Sequence, residues 1–202
     1  MKCASCKDKK CYKGKDCTEI KEEAKADYTK NKENLEIMKV ASTIEAKYYM
    51  KLTRIEEIIE FAQQRGYKKL GIAFCIGLQN EAGALNKILS KYFEVYSVVC
   101  KVCGIDKNDF SLDKLHDSTK LEAICNPIGQ AKILNKKKTE LNIALGLCIG
   151  HDILFAKYSQ APVTTLAVKD RVLAHNPLGA IYSRYYYDVL RTLKGAVSND
   201  FI

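Results

Sequence analysis

Nine cysteines in 202 residues are the groups with the most chemistry to offer, because a thiolate is both a strong nucleophile and a soft metal ligand. The odd count argues against a closed set of disulfides, and thiols kept reduced more often bind metal or react than pair structurally. They fall into two groups. Cys3, Cys6, Cys11 and Cys17 crowd the N-terminus, whereas Cys75, Cys100, Cys103, Cys125 and Cys148 are spread through the body. Two sites are expected.

The N-terminal spacing C-x2-C-x4-C-x5-C is interleaved with lysines and carries almost nothing apolar, so this segment has no hydrophobic core to order it. Four closely spaced thiolates can close a tetrahedral shell around zinc or hold an iron–sulfur cluster, and the flanking lysines offset their charge. The spacing points to metal without choosing which one. The alternative is a tail of free thiols.

The remaining elements must position the second group. Residues 19–50 have helical periodicity without Pro or Gly, and fit one or two helices. Thr53 and Glu56 are spaced as a capping box for a helix that ends at Gly66. The apolar run 70–76 then reads as a strand buried on both faces, followed by helix 81–92 and strand 95–100. Helix 130–137, strand 142–148, helix 152–158 and strand 163–168 follow. This alternation predicts an α/β domain over residues 21–202 with a parallel sheet, behind a metal module over residues 1–20. Two matched anchors suggest an internal duplication into two βαβ-like halves. Cys75-Ile76-Gly77 matches Cys148-Ile149-Gly150, and Cys125-Asn126-Pro127-Ile128-Gly129 matches His175-Asn176-Pro177-Leu178-Gly179, with residues 101–121 as an insertion.

Ligands of open parallel sheets bind beyond the carboxyl ends of the strands. Cys75, Cys100 and Cys148 are expected there, and Cys125 precedes a helix opened by Asn126-Pro127. The repeat places His175 where the first half has Cys125. Cys75, Cys125 and Cys148, completed by Cys100, Cys103 or His175, are therefore the candidate ligands of a central iron–sulfur cluster or other metal. Simple packing of buried thiols is the bland alternative. His151 and Asp152 are candidates for proton transfer or for capping the next helix. Lys169, with Asp170 and Arg171, either holds an anionic substrate or forms ion pairs among neighbours. His116 lies in the polar insertion and reads as a surface residue.

Composition narrows the classes. An apolar fraction of 47% and a charged fraction of 28% suit a folded globular chain. No apolar stretch approaches the ~20 residues of a membrane-spanning helix, and the N-terminus lacks the apolar region of a secretory signal, so a cytoplasmic protein is expected. The excess of 33 basic over 24 acidic side chains gives +9 and invites a nucleic-acid reading. The signs are mixed along the chain, however, and the densest group, Lys132 with Lys136, Lys137 and Lys138, fits the solvent face and end of one helix. Ile181, Tyr185, Val189 and Leu193 read as a core-facing helix stripe. No Gly-rich phosphate loop is present.

The residues Cys3-x2-Cys6, Cys125-Asn126-Pro127-Ile128, 146–152 and 168–177 resemble an uncharacterised prokaryotic family of cysteine-rich proteins described as metal-binding and of unknown function. The resemblance spans the chain and implies metal binding, with no substrate or catalytic residue. The reading that follows is a metal or iron–sulfur protein with redox or Lewis-acid chemistry at the sheet edge, served by an electron-transfer partner or a small-molecule substrate. Two alternatives stay open: a zinc-stabilised binding module for nucleic acid or an acidic partner, and a metal-free thiol enzyme using Cys125. If the first module is autonomous, deleting residues 1–20 should remove one metal equivalent and leave the body folded, as checked by elemental analysis and circular dichroism.

Overall fold

The computed structural model describes residues 1–115 and 119–192. His116 and Leu193 lie outside the described residues. The chain divides into two compact units, Met1–Thr53 and Arg54–Ile202. In the first, two 3-10 turns, Cys3–Ser5 and Lys10–Lys13, precede helices α1 (Lys21–Lys30) and α2 (Lys32–Tyr48). The turns are held by local bonds such as Cys6 N–H to the Cys3 carbonyl at 3.1 Å and Gly14 N–H to Cys11 at 3.0 Å. Neither turn nor α1 buries a residue, as the charge-rich sequence dictates. The Asn31 side chain caps α2 by accepting from Glu33 N–H at 3.0 Å.

The second unit is an α/β fold with a four-stranded parallel sheet flanked by helices. In chain order it contains α3 (Arg54–Gln64), β1 (Lys69–Phe74), α4 (Gln79–Leu89), β2 (Glu94–Val99), α5 (Pro127–Lys136), β3 (Leu141–Leu147), α6 (His151–Tyr158) and β4 (Val163–Val168). The short helices α7 (Gly179–Tyr182) and α8 (Arg184–Thr192) follow. Strand order is β2-β1-β3-β4, every pairing parallel. The direction in which strands are added therefore reverses between β1 and β3, while the strands stay parallel: one crossover leads from β1 outward to β2, the other from β3 outward to β4.

Strand alternation divides the core into two layers. Leu70, Ile72, Phe74, Ile143 and Leu145 pack with Ile58 and Ala62 of α3 and with Ala82, Leu85 and Leu89 of α4. Ala73, Val98, Ala144 and Leu147 pack with Ala131 and Leu134 of α5 and Phe155 of α6. The two central strands are buried along most of their length, which explains their nearly unbroken apolar sequences.

The α5 side is built from small residues, and Gly71 shows why. The fully buried Asn142 of β3 accepts from Thr139 Oγ1 and donates to Ser159 Oγ, both at 2.8 Å. Its Oδ1 occupies the space a Gly71 side chain would need, with a Leu134 methyl at 2.9 Å from the same point. Near the other end of β3, Gly146 has φ of +65° where the β3–β4 register shifts. This kink lets Leu78, just past β1, close against the β3 backbone.

The C-terminal stripe does not form the expected core-facing helix. Ser183 leaves the helical region with ψ of 119° and splits the segment into α7 and α8. Ile181 and Tyr185 consequently stand 58% and 69% exposed. Lys132, Lys136, Lys137 and Lys138 are exposed on and beyond the end of α5. Among the described residues no helix is long and apolar enough to cross a membrane.

Gly71→Ala should force Asn142 and Leu134 out of place, lowering stability by about 1–3 kcal/mol. The check is the urea midpoint, with the slope of the transition unchanged.

Candidate functional site

Each strand-end cysteine occupies the first position past its strand, where the chain leaves the ladder and the side chain meets the carboxyl edge of the sheet. Cys75 follows β1, Cys100 follows β2 and Cys148 follows β3. Cys75 N–H still bonds to Leu145 at 3.2 Å and Cys100 N–H to Phe74 at 2.9 Å, so the sheet holds both residues. Cys75 and Cys100 are buried, Cys125 and Cys148 half-buried, and Cys103 exposed.

Cys125 reaches this edge by a different route. After β2 the chain makes an excursion whose two ends are tied together: Lys107 N–H bonds to Glu122 at 3.0 Å and Ile124 N–H to Ile105 at 2.8 Å. A Lys107–Glu122 ion pair of 2.8 Å reinforces them. Asn126 N–H then donates to the Cys100 carbonyl at 2.7 Å. The next turn starts α5, where Asn126 Oδ1 accepts from Gly129 N–H at 2.8 Å and Pro127 takes the first helical position. Gln130, fully buried one turn on, donates from Nε2 to the carbonyls of Phe74 and Val98 at 3.1 and 2.7 Å. It therefore braces β1 one residue before Cys75 and β2 two residues before Cys100. Its Oε1 is the buried side-chain oxygen left without a partner among the described residues.

These constraints set the thiols of Cys100 and Cys125 close enough that each perturbs the ionisation of the other. The neighbouring Cys125 sulfur and burial push the Cys100 pKa well above the ordinary thiol range, although Ile76 N–H also approaches its sulfur at 3.4 Å. Cys125 moves the other way, to about 5: the neighbouring Cys100 thiol and the positive charges of Lys101 and His151 favour its thiolate against the cost of burial. Lys101 is fixed for this task by donating to the Ala123 carbonyl at 2.5 Å.

The other expected residues are placed as follows. Arg171 donates to Cys148 Sγ at 3.2 Å. His151 opens α6 with its N–H bonded to the Cys148 carbonyl at 3.0 Å, and no side chain caps that helix. Asp152 Oδ1 accepts from Ile153 N–H at 2.8 Å. His175, at φ of +65°, uses Nδ1 to accept from Asp170 N–H at 3.1 Å and closes its own loop. Cys3, Cys6, Cys11 and Cys17 are exposed. Among the described residues, no three or more His, Cys, Asp and Glu side chains are gathered so that they could hold a metal ion.

Lys101 and Gln130 were absent from the sequence-derived site. The signal for Lys101 was its place beside a strand-end cysteine, whereas Gln130 carried none, since a Gln on a helix is ordinarily a surface residue.

Residues 12–166 match a family described as "Protein of unknown function (DUF1847)". The chain is also 62% identical over 186 residues to "Uncharacterized protein MJ0455" of Methanocaldococcus jannaschii, covering 92% of this chain and 96% of that protein.

Alkylation follows the thiolate fraction, so a lowered pKa preserves the rate as pH falls. Iodoacetamide should modify Cys125 with a midpoint near pH 5, against about 8.5 for an ordinary thiol. Peptide mass spectrometry resolves the residue, and Lys101→Met should move the midpoint upward.

Proposed function

Because this chain belongs to DUF1847, a family of unknown function, its activity must be argued from its own side chains, and we propose that it is a thiol-redox protein in which Cys100 and Cys125 cycle between dithiol and disulfide. The observation that carries this reading is the placement of the two cysteines at the carboxyl edge of the parallel sheet, where Asn126 N–H ties the residue after Cys125 to the Cys100 carbonyl at 2.7 Å and the two thiols shift one another's ionisation in opposite directions.

The two sulfurs suit two successive exchanges. Cys125, as thiolate, attacks one sulfur of a disulfide substrate; its new S–S bond displaces the other sulfur as a thiolate. Cys100 then loses its proton to the departing sulfur or to water and attacks the Cys125 sulfur. The second substrate thiolate leaves, and the Cys100–Cys125 disulfide remains. Two electrons have passed from the protein to the substrate, and an external thiol reductant returns the pair to the starting state. His151, whose charge is felt at Cys125, is the group suited to exchange a proton with the leaving thiolate.

Metal ligation is the second reading, favoured by the four thiols of residues 3–17. Their type suits zinc or an iron–sulfur cluster. Their arrangement here does not fit one, because they are exposed and no three are gathered. In the body, Cys75 lies near enough to Cys100 for its charge to raise the Cys100 pKa, which makes it the natural third thiol if metal is held there. The duplication, with Cys125 and His175 at equivalent points, belongs to this second reading.

Anaerobically purified protein equilibrated with oxidised glutathione should lose two thiols and yield a Cys100–Cys125 cross-link on peptide mapping. Cys100→Ser should instead accumulate a mixed disulfide at Cys125. A different cross-link, or none, would overturn the dithiol reading. Iron with acid-labile sulfide in the same preparation would favour the second.

A further inference from the structure

The order of strand addition reverses between the parallel strands β1 and β3, and the region past their carboxyl ends is where an open parallel sheet receives its ligand. Two cations enter it from the end of β4. Lys169 is the first residue past that strand, and its N–H is tied to the Leu147 carbonyl at 3.1 Å. Its Nζ lies 3.0 Å from the point a Gly77 Cβ would occupy, with Cys75 Sγ 4.0 Å from the same point. Gly77 follows β1, and β3 lies between β1 and β4, so the side chain spans the end of β3. Arg171 lies on Cys148, the first residue past β3, through its 3.2 Å contact.

Neither cation has a carboxylate partner among the described residues. Asp170 stands between them in sequence, but its Oδ1 accepts from the N–H groups of Val172 and Leu173 at 2.9 and 2.8 Å. Asp152 is occupied with its own helix. Among the described residues no carboxylate lies within ion-pair distance of Lys169 or Arg171. Lys169 is half-buried and Arg171 exposed; a cation partly withdrawn from water without a counterion is unfavourable, and an arriving anion relieves that cost. The thiol pair adjoins the same turn: Ile76, next to Gly77, donates its N–H to Cys100 Sγ.

We propose that this region is an anion seat in which Lys169 and Arg171 hold the carboxylate or phosphate of a small thiol or disulfide substrate beside the strand-end cysteines. The role of the ligand rests on the thiol-redox reading; the binding itself does not. Arg171 supplies a planar fork for two oxygens, and Lys169 a point charge.

Inorganic phosphate is the probe, titrated calorimetrically into the full chain. Saturable binding is expected, weakened about tenfold by Lys169→Met or Arg171→Met and retained in Lys169→Arg and Cys125→Ser, with unchanged circular dichroism. Phosphate should also slow oxidation of the pair by oxidised glutathione, which is anionic, and leave oxidation by neutral dithiodipyridine unchanged. Absence of saturable phosphate binding, or undiminished binding in folded Lys169→Met, would overturn the anion seat. Intact phosphate binding with no oxidation by either disulfide would instead overturn the thiol-redox reading alone.

Discussion

A single backbone hydrogen bond, from Asn126 N–H to the Cys100 carbonyl at 2.7 Å, makes the cysteine site possible. It returns the chain to the sheet edge after the excursion over residues 101–125 and sets two thiols far apart in sequence against one another. Loop closure of this length is entropically costly. The tied loop ends and the Lys107–Glu122 pair offset that cost locally, so the junction does not depend on the thiols themselves. Asn126 serves twice, through its backbone on Cys100 and through its side chain as the cap of α5.

The rest of the sheet supports this junction through its choice of small and buried polar residues. Gly71, Ala73 and Ala144 leave room on one face for α5 to lie close. Closeness lets Gln130 reach the last carbonyl of β1 and the next-to-last of β2, and so the packing of α5 is felt near Cys75 and Cys100. Buried amides are costly unless bonded; here their bonds orient the ends of the strands, where chemistry is expected.

Charge at the edge follows a consistent pattern. Lys101 and His151 favour a thiolate at Cys125, and Arg171 lies on Cys148, while the nearby carboxylates of Asp152 and Asp170 are turned to backbone N–H groups. The arrangement collects positive charge and thiols together and keeps carboxylates engaged elsewhere. The +9 of the chain is thus of two kinds: dispersed lysines at the surface, and a few cations aimed at sulfur.

Periodicity and composition alone determined the α/β class, the parallel strands and the cysteines at their ends, because a strand buried on both faces must be apolar throughout and the first residue past it lies at the edge. The start of α5 was legible in Asn126-Pro127 for the same local reason. What pairs with what was decided by tertiary structure. His175 looked equivalent to Cys125 from its Asn-Pro neighbour, yet left-handed backbone at Ala174 and His175 turns it onto Asp170, and the partner found at Cys125 is Cys100. The apolar stripe near the C-terminus predicted one buried helix, but a break at Ser183 leaves much of it exposed. Such outcomes depend on contacts between residues distant in the chain, and on single backbone torsions, neither of which is written in the spacing of residue types.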